Sequence, residues 1–546
     1  MGERLPFCAL FVRDDAVLTP AQSGALSVLG WTEGVVDTAR VRLAEVLTSL
    51  SLAIDLGLGI PMQTVLKTAL IAVRLSRAGG LDETDVAAAY YLAILRFVGC
   101  STTSHETSFV VGDELALGDL LVVTDEEVVP EVTRILGAGK PAAEAQEAVQ
   151  SAFAAFASGL FTSNHRTHCE AARLIAHRLG MGPRVVDGLA HVYERWDGRS
   201  SQRLAQGEGV SLPMRVVQVA QLAGYDSASR GAAEIAHRAR MRAGNLLDPK
   251  FAALLAEDPE HFLSGLDGTD LTPEVLAAEP GGPVWLSGAE IDKALSAIAD
   301  FGDFKSPHML GHSRRVADVA TAAARAASLP ATDIEEVGRA ALIHDIGRVG
   351  VQAQLLSKPG TLTRSEHERI RLHSYLTGRI FADSPVIAPL GRLGSAHHER
   401  LDGSGYHLGL AAPALSATTR LLAAANAWCA LTEPRPHRQQ MTEAEAATAL
   451  SAQAKAGLFD RRAVDAVLTV AGQKGAHTRR AASTALSERE IEVLRLVSRE
   501  QTNAAIAEVL GLSPKTVERH VTHIYDKLGV ATRAGAAIYA LENGLL

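Results

Sequence analysis

Apolar side chains recur every three or four residues along most of the chain, which is the spacing of an amphipathic helix. Val517, Val521, Ile524 and Leu528 are a clear example, since they fall on one helical face. Ala-rich runs punctuated by Leu and Val dominate, and aromatic residues make up only 5% of the sequence. Because Ala and Leu favour helices, the predicted fold class is all-α.

Two stretches of the chain resemble each other. The string "HHERLDGSG" around Arg400 matches "VYERWDGRS" around Arg195, at an offset of 205 residues that also relates His373 to His168. Further upstream, "AALIHDIGR" (340–348) aligns with "LAILRFVGC" (92–100) at an offset of 248. The chain is therefore predicted to hold two tandem copies of one helical domain, with an insertion in the first copy.

Proline- and glycine-containing segments mark the joints between these copies, because such residues do not continue a helix. The segments are "AAEPGGPVW" (277–285) and "GQKGAHTRRAAST" (472–484). The predicted organisation is an N-terminal arm (1–34), a first copy (35–265) with its insertion at about 101–160, a linker (266–285), a second copy (286–471), a second linker (472–483) and a small C-terminal domain (484–546).

Composition narrows the class of protein. A chain of 546 residues is too long for one core, and a net charge of −9 restricts any DNA contact to a local module. The four cysteines form no CxxC pair, which favours a reducing compartment. The apolar run Leu43–Leu70 is interrupted by Asp55, Pro61 and Lys67, so it is predicted to be core rather than a membrane span. No signal peptide pattern begins the chain, and the predicted location is the cytoplasm.

The C-terminal segment "TNAAIAEVLGLSPKTVERHVTHIYDKLGV" (502–530) predicts two helices joined by a tight turn. Ile506, Val509 and Leu510 give the first helix an apolar stripe, and Gly511 permits the turn. Ser513 and Pro514 are an N-cap and a first-turn proline for the second helix. That helix presents Lys, Arg and Thr outward, which is the geometry of a helix that enters a major groove.

Residues 486–546 resemble the LuxR-type helix-turn-helix domain of bacterial transcription regulators nearly end to end. The resemblance implies double-stranded DNA as partner, and a homodimer on two half-sites is expected because the module is only mildly basic. The resemblance places Glu518, Arg519 and Thr522 at base edges, and Lys515, Thr516, His520 and Lys527 near phosphates. The alternative is a helical hairpin for protein contacts, since ten Lys and Arg stand against only eight Asp and Glu from Gly472 onward.

The second copy is similar to the HD-GYP family of metal-dependent phosphodiesterases that cut cyclic di-GMP. The matching motifs are "GHSRRVADVA", "HDIGRVGV", "LSKPGTLT", "HHERLDGSGYH" and "RLLAAANAWCALTEPRPHR". A two-metal site suits this reaction, because it supplies a hydroxide and stabilises developing negative charge. The resemblance implies one or two iron or manganese ions held by His312, His344, Asp345, His373, His397 and His398, with Asp345 and Arg348 as catalytic residues.

The second copy departs from the HD-GYP pattern at the last metal ligand along the chain. Asn426 stands where the family has Asp, and an amide neutralises less of a cation's charge. Arg348 replaces the Lys after "HDIG", and His407 is the third letter of the GYP signature. His308, predicted on the same helical face as His312, could add a ligand or be a solvated residue near a helix start. These departures predict weakened or lost catalysis.

The first copy lacks the ligand pattern. Thr64, Arg96, Phe97 and Gln221 replace the ligands, and only His168 remains. The prediction is a binding or dimerising domain without metal, in which His165 and His168 are structural. In the insertion, His105, Glu106 and Asp113 could line a ligand pocket or serve as surface and capping groups.

Taken together, these patterns predict a cytoplasmic transcription regulator with an HD-GYP-like sensory or dimerising region. One alternative is an active phosphodiesterase whose turnover controls DNA binding. Another is an HD pair that acts as a scaffold without any ligand. A cyclic dinucleotide is the expected small ligand, and no membrane partner is expected.

Overall fold

The computed structural model describes residues 40–122, 125–268, 270–471 and 486–546. The predicted N-terminal arm (1–34) and second linker (472–483) lie outside the described residues. Within them the prediction of an all-α fold is confirmed, since the two strands are three residues each. Short 3-10 helices cover Cys100–Thr103, Glu114–Val122, Leu189–His191, Gly207–Gly209, Ile346–Gly350 and Ala412–Ala414.

The first half of the chain begins with a short strand and continues in helices. Its elements are β1 (Arg40–Arg42), α1 (Leu43–Leu58), α2 (Thr64–Ala78), α3 (Glu83–Leu95), α4 (Ser104–Val111), α5 (Asp125–Gly137), α6 (Ala142–Ala157), α7 (Leu160–Arg178), α8 (Pro183–Gly188), α9 (Leu212–Asp226), α10 (Ala232–Arg242), α11 (Pro249–Glu257), α12 (Pro259–Leu263) and α13 (Thr272–Ala277). Helices α4 to α6 belong to the predicted insertion and form their own apolar cluster around Val132 and Leu136.

The second half repeats this plan with helices of similar length. Its elements are β2 (Trp285–Ser287), α14 (Ala289–Asp303), α15 (His312–Ala326), α16 (Ala331–Ile343), α17 (Ala353–Leu356), α18 (Arg364–Phe381), α19 (Ala388–Ser395), α20 (Ala417–Thr432), α21 (Glu443–Lys455) and α22 (Arg461–Ala471). Thr363 and Thr442 close capping boxes at the starts of α18 and α21, which fixes where these helices begin.

The C-terminal domain is a bundle of four helices with its own core. They are α23 (Glu488–Ser498), α24 (Asn503–Leu510), α25 (Pro514–Leu528) and α26 (Arg533–Glu542). As predicted, Gly511 ends α24 in the left-handed conformation and the Ser513 side chain accepts a hydrogen bond from the Thr516 N–H. Val517 and Ile524 are buried as predicted, whereas the prediction for Val509 is wrong because its side chain is 62% exposed.

The two halves share one continuous hydrophobic core that runs from Val41 to Val470. Strands β1 and β2 pair antiparallel, with Val41 opposite Leu286, and so join the start of one half to the start of the other. The segment predicted as the first linker (266–285) contains α13, whose Val275 is buried in this core. The halves are therefore packed together rather than strung on a free linker.

Both halves use a buried aspartate to hold the start of a helix. In the first half, Asp55 accepts a hydrogen bond of 3.2 Å from the Val65 N–H. In the second half, Asp303 accepts one of 2.9 Å from the Ser313 N–H. Each residue lies 248 positions from its counterpart, which is the offset found upstream in the sequence.

A close backbone approach also recurs in both halves. A Cβ on Gly99 would lie 2.0 Å from the carbonyl oxygen of His168, and a Cβ on Gly347 would lie 2.0 Å from that of His373. Only glycine fits at such a distance. The repeat seen in the sequence therefore has a counterpart in the local packing.

Among the described residues, one helical stretch, Glu83–Val111, is long and apolar enough to cross a membrane by length and composition. Its most apolar window is 89% buried inside the protein, as a core helix would be.

Candidate functional site

Helix ends bring six ligand-type side chains and one amide to the centre of the second half. His312 opens α15, His344 and Asp345 follow α16, and His373 lies in α18. The others are His397 and His398, just after α19, and Asn426 in α20. Gly394 permits this convergence, because a Cβ there would lie 3.2 Å from the His344 Cα. All the ligand-type positions implied by the resemblance thus lie in one place.

Asp345 is the centre of the cluster. Its Oδ1 lies 3.3 Å from His373 Nε2 and 3.4 Å from His397 Nε2. Its Oδ2 lies 3.3 Å from His344 Nε2 and 3.6 Å from His312 Nε2. The carboxylate therefore stands between two pairs of imidazoles, the arrangement in which one carboxylate can bridge two cations.

Backbone carbonyls orient three of the imidazoles. Nδ1 of His344 lies 2.7 Å from the carbonyl oxygen of Ala341, and Nδ1 of His397 lies 2.7 Å from that of Gly394. His373 Nδ1 makes the same contact with Ile370. Because a carbonyl only accepts, each Nδ1 carries the proton and each Nε2 presents a lone pair to the centre. Burial also lowers the pKa of His397 to about 3, so this imidazole is neutral.

His312 is oriented by a carboxylate instead of a carbonyl. Its Nδ1 lies 2.7 Å from Glu433 Oε2, and its Nε2 lies 3.0 Å from Asn426 Oδ1. With the proton on Nδ1, an imidazole lone pair faces an amide oxygen, and a cation between them would satisfy both acceptors. Sequence reasoning assigned no role to Glu433, although it stands in the matched string "TEPRPHR".

The donor set fits divalent iron or manganese, which accept both imidazole and carboxylate ligands. The clearest sign is that Asp345 Oδ1 and the Nε2 atoms of His344 and His398 are buried without a hydrogen-bond partner among the described residues. Two groups of three ligand atoms, each within 4.8 Å of one another, are His373 with His397 and His398, and His312 with His344 and Asp345.

Arg348 adds positive charge to the same centre. Its Nε lies 2.8 Å from Asp345 Oδ2, the oxygen that also faces His344. Burial raises the pKa of Asp345, but the Coulombic effects of Arg348 and His344 outweigh it and hold that pKa well below its usual value. Asp345 is therefore ionised, and the guanidinium competes with a cation for one of its oxygens. His308 precedes α15 in a turn, so the prediction that it shares a helical face with His312 is wrong.

The corresponding place in the first half holds different chemistry. Arg96 and Phe97 are buried at the end of α3, and Thr64 opens α2. His168 bonds Thr103 Oγ1 at 2.6 Å and Tyr193 Oη at 2.8 Å, so both of its ring nitrogens have protein partners. His165 stacks on Tyr193 with ring centroids 3.8 Å apart. The two histidines are held by neighbouring side chains.

The insertion residues singled out in the sequence have separate roles. His105 Nδ1 lies 3.0 Å from Ser357 Oγ of the second half. Asp113 accepts a hydrogen bond of 3.1 Å from the Leu115 N–H, which is a capping contact. Glu106 lies against the C-terminal domain, and burial raises its pKa. These residues connect parts of the fold and do not converge on one ligand.

Helix α25 carries the predicted DNA-contacting residues. Lys515, Glu518, Arg519 and Thr522 are exposed, and Thr516 and His520 are half-buried. Lys527 differs, because its ammonium lies 2.7 Å from Glu490 Oε2 in α23 and thereby joins two helices of the domain. The structure thus presents one continuous polar face on α25.

The C-terminal domain docks on both halves of the chain. Glu170 of α7 accepts a hydrogen bond of 2.6 Å from the Ala531 N–H and another from the Thr532 hydroxyl at the start of α26. Ile538 and Leu541 of α26 pack with Phe304 in a small apolar cluster. The C-terminal domain is therefore held in place by contacts that sequence periodicity did not identify.

Two parts of the chain match known families. Residues 298–463 match the HD domain family, and residues 484–540 match the family of bacterial regulatory proteins described as luxR. The second match covers the helices α23 to α25 and most of α26.

Individual proteins resemble the chain over different lengths. It is 27% identical to the 3'3'-cGAMP-specific phosphodiesterase 3 of Vibrio cholerae over 73% of this chain and 88% of that protein. It is 37% identical to a cyclic di-GMP phosphodiesterase of Pseudomonas aeruginosa over 25% of this chain and 33% of that one. It is 44% identical to the transcriptional regulatory protein LiaR of Bacillus subtilis over 11% of this chain and 29% of LiaR.

A solved structure shares the fold. The crystal structure of a cyclic GMP-AMP specific phosphodiesterase of V. cholerae superposes with a TM-score of 0.55 at 24% identity. The superposition covers 80% of this chain and 98% of that one. It therefore extends well beyond the HD match at residues 298–463.

Proposed function

We propose that this chain, which carries an HD domain and a C-terminal luxR-type helix-turn-helix domain, is a bacterial transcription regulator. The observation that carries the proposal is the exposed polar face of α25, with Lys515 and Arg519 presented on a capped helix. A module with little net positive charge gains affinity by binding two half-sites as a homodimer.

The DNA assignment is tested by selecting bound sequences from a random duplex pool with the full-length protein. Arg519→Ala should weaken binding and relax the selected sequence. Lys515→Ala should weaken binding to all duplexes about equally. It should also reduce the slope of log affinity against log salt concentration by about one. Arg461→Ala is the matched control, since this exposed Arg lies in α22 outside the domain. DNA binding that is unchanged in both α25 variants would overturn the assignment.

The HD region is proposed to bind a divalent metal and a cyclic dinucleotide with weak or no turnover. When bound, such metals supply a hydroxide nucleophile and stabilise negative charge on a phosphodiester. His312, His344, Asp345, His373, His397 and His398 would hold them. Asn426 contributes no negative charge, and Arg348 occupies one side of Asp345. Both features disfavour full occupancy by two cations.

An active phosphodiesterase is the second candidate. The convergence of four imidazoles on Asp345 favours it, as do relatives named for cyclic GMP-AMP and cyclic di-GMP hydrolysis. The test incubates the manganese- or iron-loaded chain with each dinucleotide and separates the products by chromatography. Turnover that is abolished in His344→Ala supports the enzyme. No turnover in the wild type, with turnover created by Asn426→Asp, supports the weakened site.

A further inference from the structure

The first half contains a cavity at the place that corresponds to the metal centre of the second half. Its volume is about 430 Å³, which lies within the range of about 300–1,000 Å³ typical of small-molecule sites. The end of α1, the segment after α3, helices α7, α9 and α10 and the insertion contribute residues that line it. Those that matter here are Arg96, Phe97, Leu117, Tyr193, Arg242 and Leu246.

Arg96 is a buried cation that lies over the Phe97 ring, 4.4 Å from its centroid, and has no counter-ion among the described residues. Its side chain lines the cavity and is 5% exposed, and its Nε and Nη1 have no hydrogen-bond partner among the described residues. The ionisable groups around it are Cys100, Cys169 and Tyr193, and burial keeps all three neutral by raising their pKa, that of Cys169 to about 11. Burial lowers the pKa of Arg96 itself only to about 10, so it is charged at neutral pH.

The acidic side chains of the cavity wall, Glu114 and Glu194, are not among the groups that act on the pKa of Arg96, and both have other contacts. Glu194 accepts hydrogen bonds from the Ser200 hydroxyl and the Leu204 and Ala205 N–H groups on one oxygen. Glu114 pairs with Lys305 at 2.7 Å. A second cation, Arg242, also lines the cavity: its Nη2 pairs with Glu127 at 3.0 Å, and its Nη1 has no hydrogen-bond partner among the described residues.

A buried charge without a partner is costly, so such a group signals a ligand that supplies the missing charge. The fork of N–H donors in a guanidinium matches the oxygens of a phosphate or a carboxylate. Leu117 and Leu246 also line the cavity and offer apolar surface for the body of the ligand. We propose that this cavity binds a small organic oxyanion through Arg96.

The test measures ligand binding to the full-length, chelator-treated protein by calorimetry and thermal shift. The probes are guanosine 5′-monophosphate for a phosphate, glutarate for a carboxylate and guanosine for the uncharged control. We expect one of the two anions, and not guanosine, to bind and raise Tm. Arg96→Met should weaken that binding by roughly tenfold or more, because a charge-assisted hydrogen bond is lost.

Two further variants keep the outcome decisive. Arg242→Met, on another wall of the cavity, should also weaken binding if Arg96→Met does not fold. His344→Ala disrupts only the centre of the second half and should leave anion binding unchanged. Binding that is lost in His344→Ala but kept in Arg96→Met, or no binding of either anion to the wild type at millimolar concentration, would overturn the proposal.

Discussion

The two halves of residues 40–471 share packing features but have different interiors. The buried aspartates Asp55 and Asp303 hold equivalent helix starts, and Gly99 and Gly347 lie equally close to an equivalent backbone carbonyl. Yet the second half places His344 and Asp345 at its centre, where the first half has Arg96 and Phe97. The residues that maintain the packing are therefore different from those that determine the chemistry of the centre, so one can change without the other.

The largest expected difference between the halves is in metal content. His344→Ala removes an imidazole from the centre of the cluster, so iron or manganese should fall from one or two equivalents to almost none by elemental analysis. His168→Ala is the matched variant in the first half, and metal content should not change, because both ring nitrogens of His168 already have protein partners. Equal loss in both variants would contradict the contrast between the halves.

The position of the last ligand in the pattern, Asn426 in the second half and Gln221 in the first, offers a second contrast. Asn426→Asp adds a carboxylate beside His312, and manganese should bind more tightly by roughly tenfold to a hundredfold, the scale on which groups around a metal change affinity. Gln221→Asp makes the same type of change in the first half. It should create no manganese binding, since Arg96 and Phe97 supply no ligand. Competition with a metal-sensitive dye measures the manganese affinity of both variants. Manganese binding gained in Gln221→Asp would argue against the difference between the halves.

A third pair of variants tests what the halves share. Glu194 accepts hydrogen bonds from the Leu204 and Ala205 N–H groups, and Glu399 accepts them from Leu408 and Leu410. Replacing either carboxylate with Ala leaves these partly buried donors without their partner. The free energy of unfolding should fall by about 1–3 kcal/mol in both variants, as measured by denaturant titration. A loss confined to one half would show that the scaffolds are not equivalent.

The smallest expected effect concerns the C-terminal domain. Glu170 of α7 bonds the start of α26, whereas the position 205 residues later in the second half is Tyr375, which has no carboxylate. Glu170→Ala should weaken the docking by about 1 kcal/mol and speed hydrogen exchange of the 531–535 amides. The exposed Glu144→Ala in α6 is the control. Unchanged exchange in Glu170→Ala would exclude a contribution of this contact.

Short-range signals in the sequence predicted much of the structure. The cap at Ser513 and the glycine turn at Gly511 follow from local backbone preferences, so α24 and α25 were predicted with their boundary. The cluster around Asp345 was expected because its motifs are specific as a set. In contrast, periodicity indicates that a face is buried and not what covers it. It therefore did not identify the partner of α26, and it placed the exposed Val509 in the core.

Side-chain contacts between segments that are distant in the sequence are a second feature of the structure that the sequence did not predict. Arg348 was expected as a variant of a motif Lys, but its contact with Asp345 depends on side-chain geometry. The orientation of His312 by Glu433 joins residues that are 121 positions apart. Such pairs produce no recognisable pattern in the local sequence, because each residue taken alone would also fit a solvent-exposed helix end.

The pairing of β1 with β2 has a consequence for synthesis of the chain. Val41 near the beginning finds its strand partner only when Leu286 has left the ribosome, and the shared core continues to Val470. Domains usually fold as units in the order in which they are made. Here the first half must wait for the second, so a nascent chain stalled before β2 would expose apolar surface and be a substrate for chaperones.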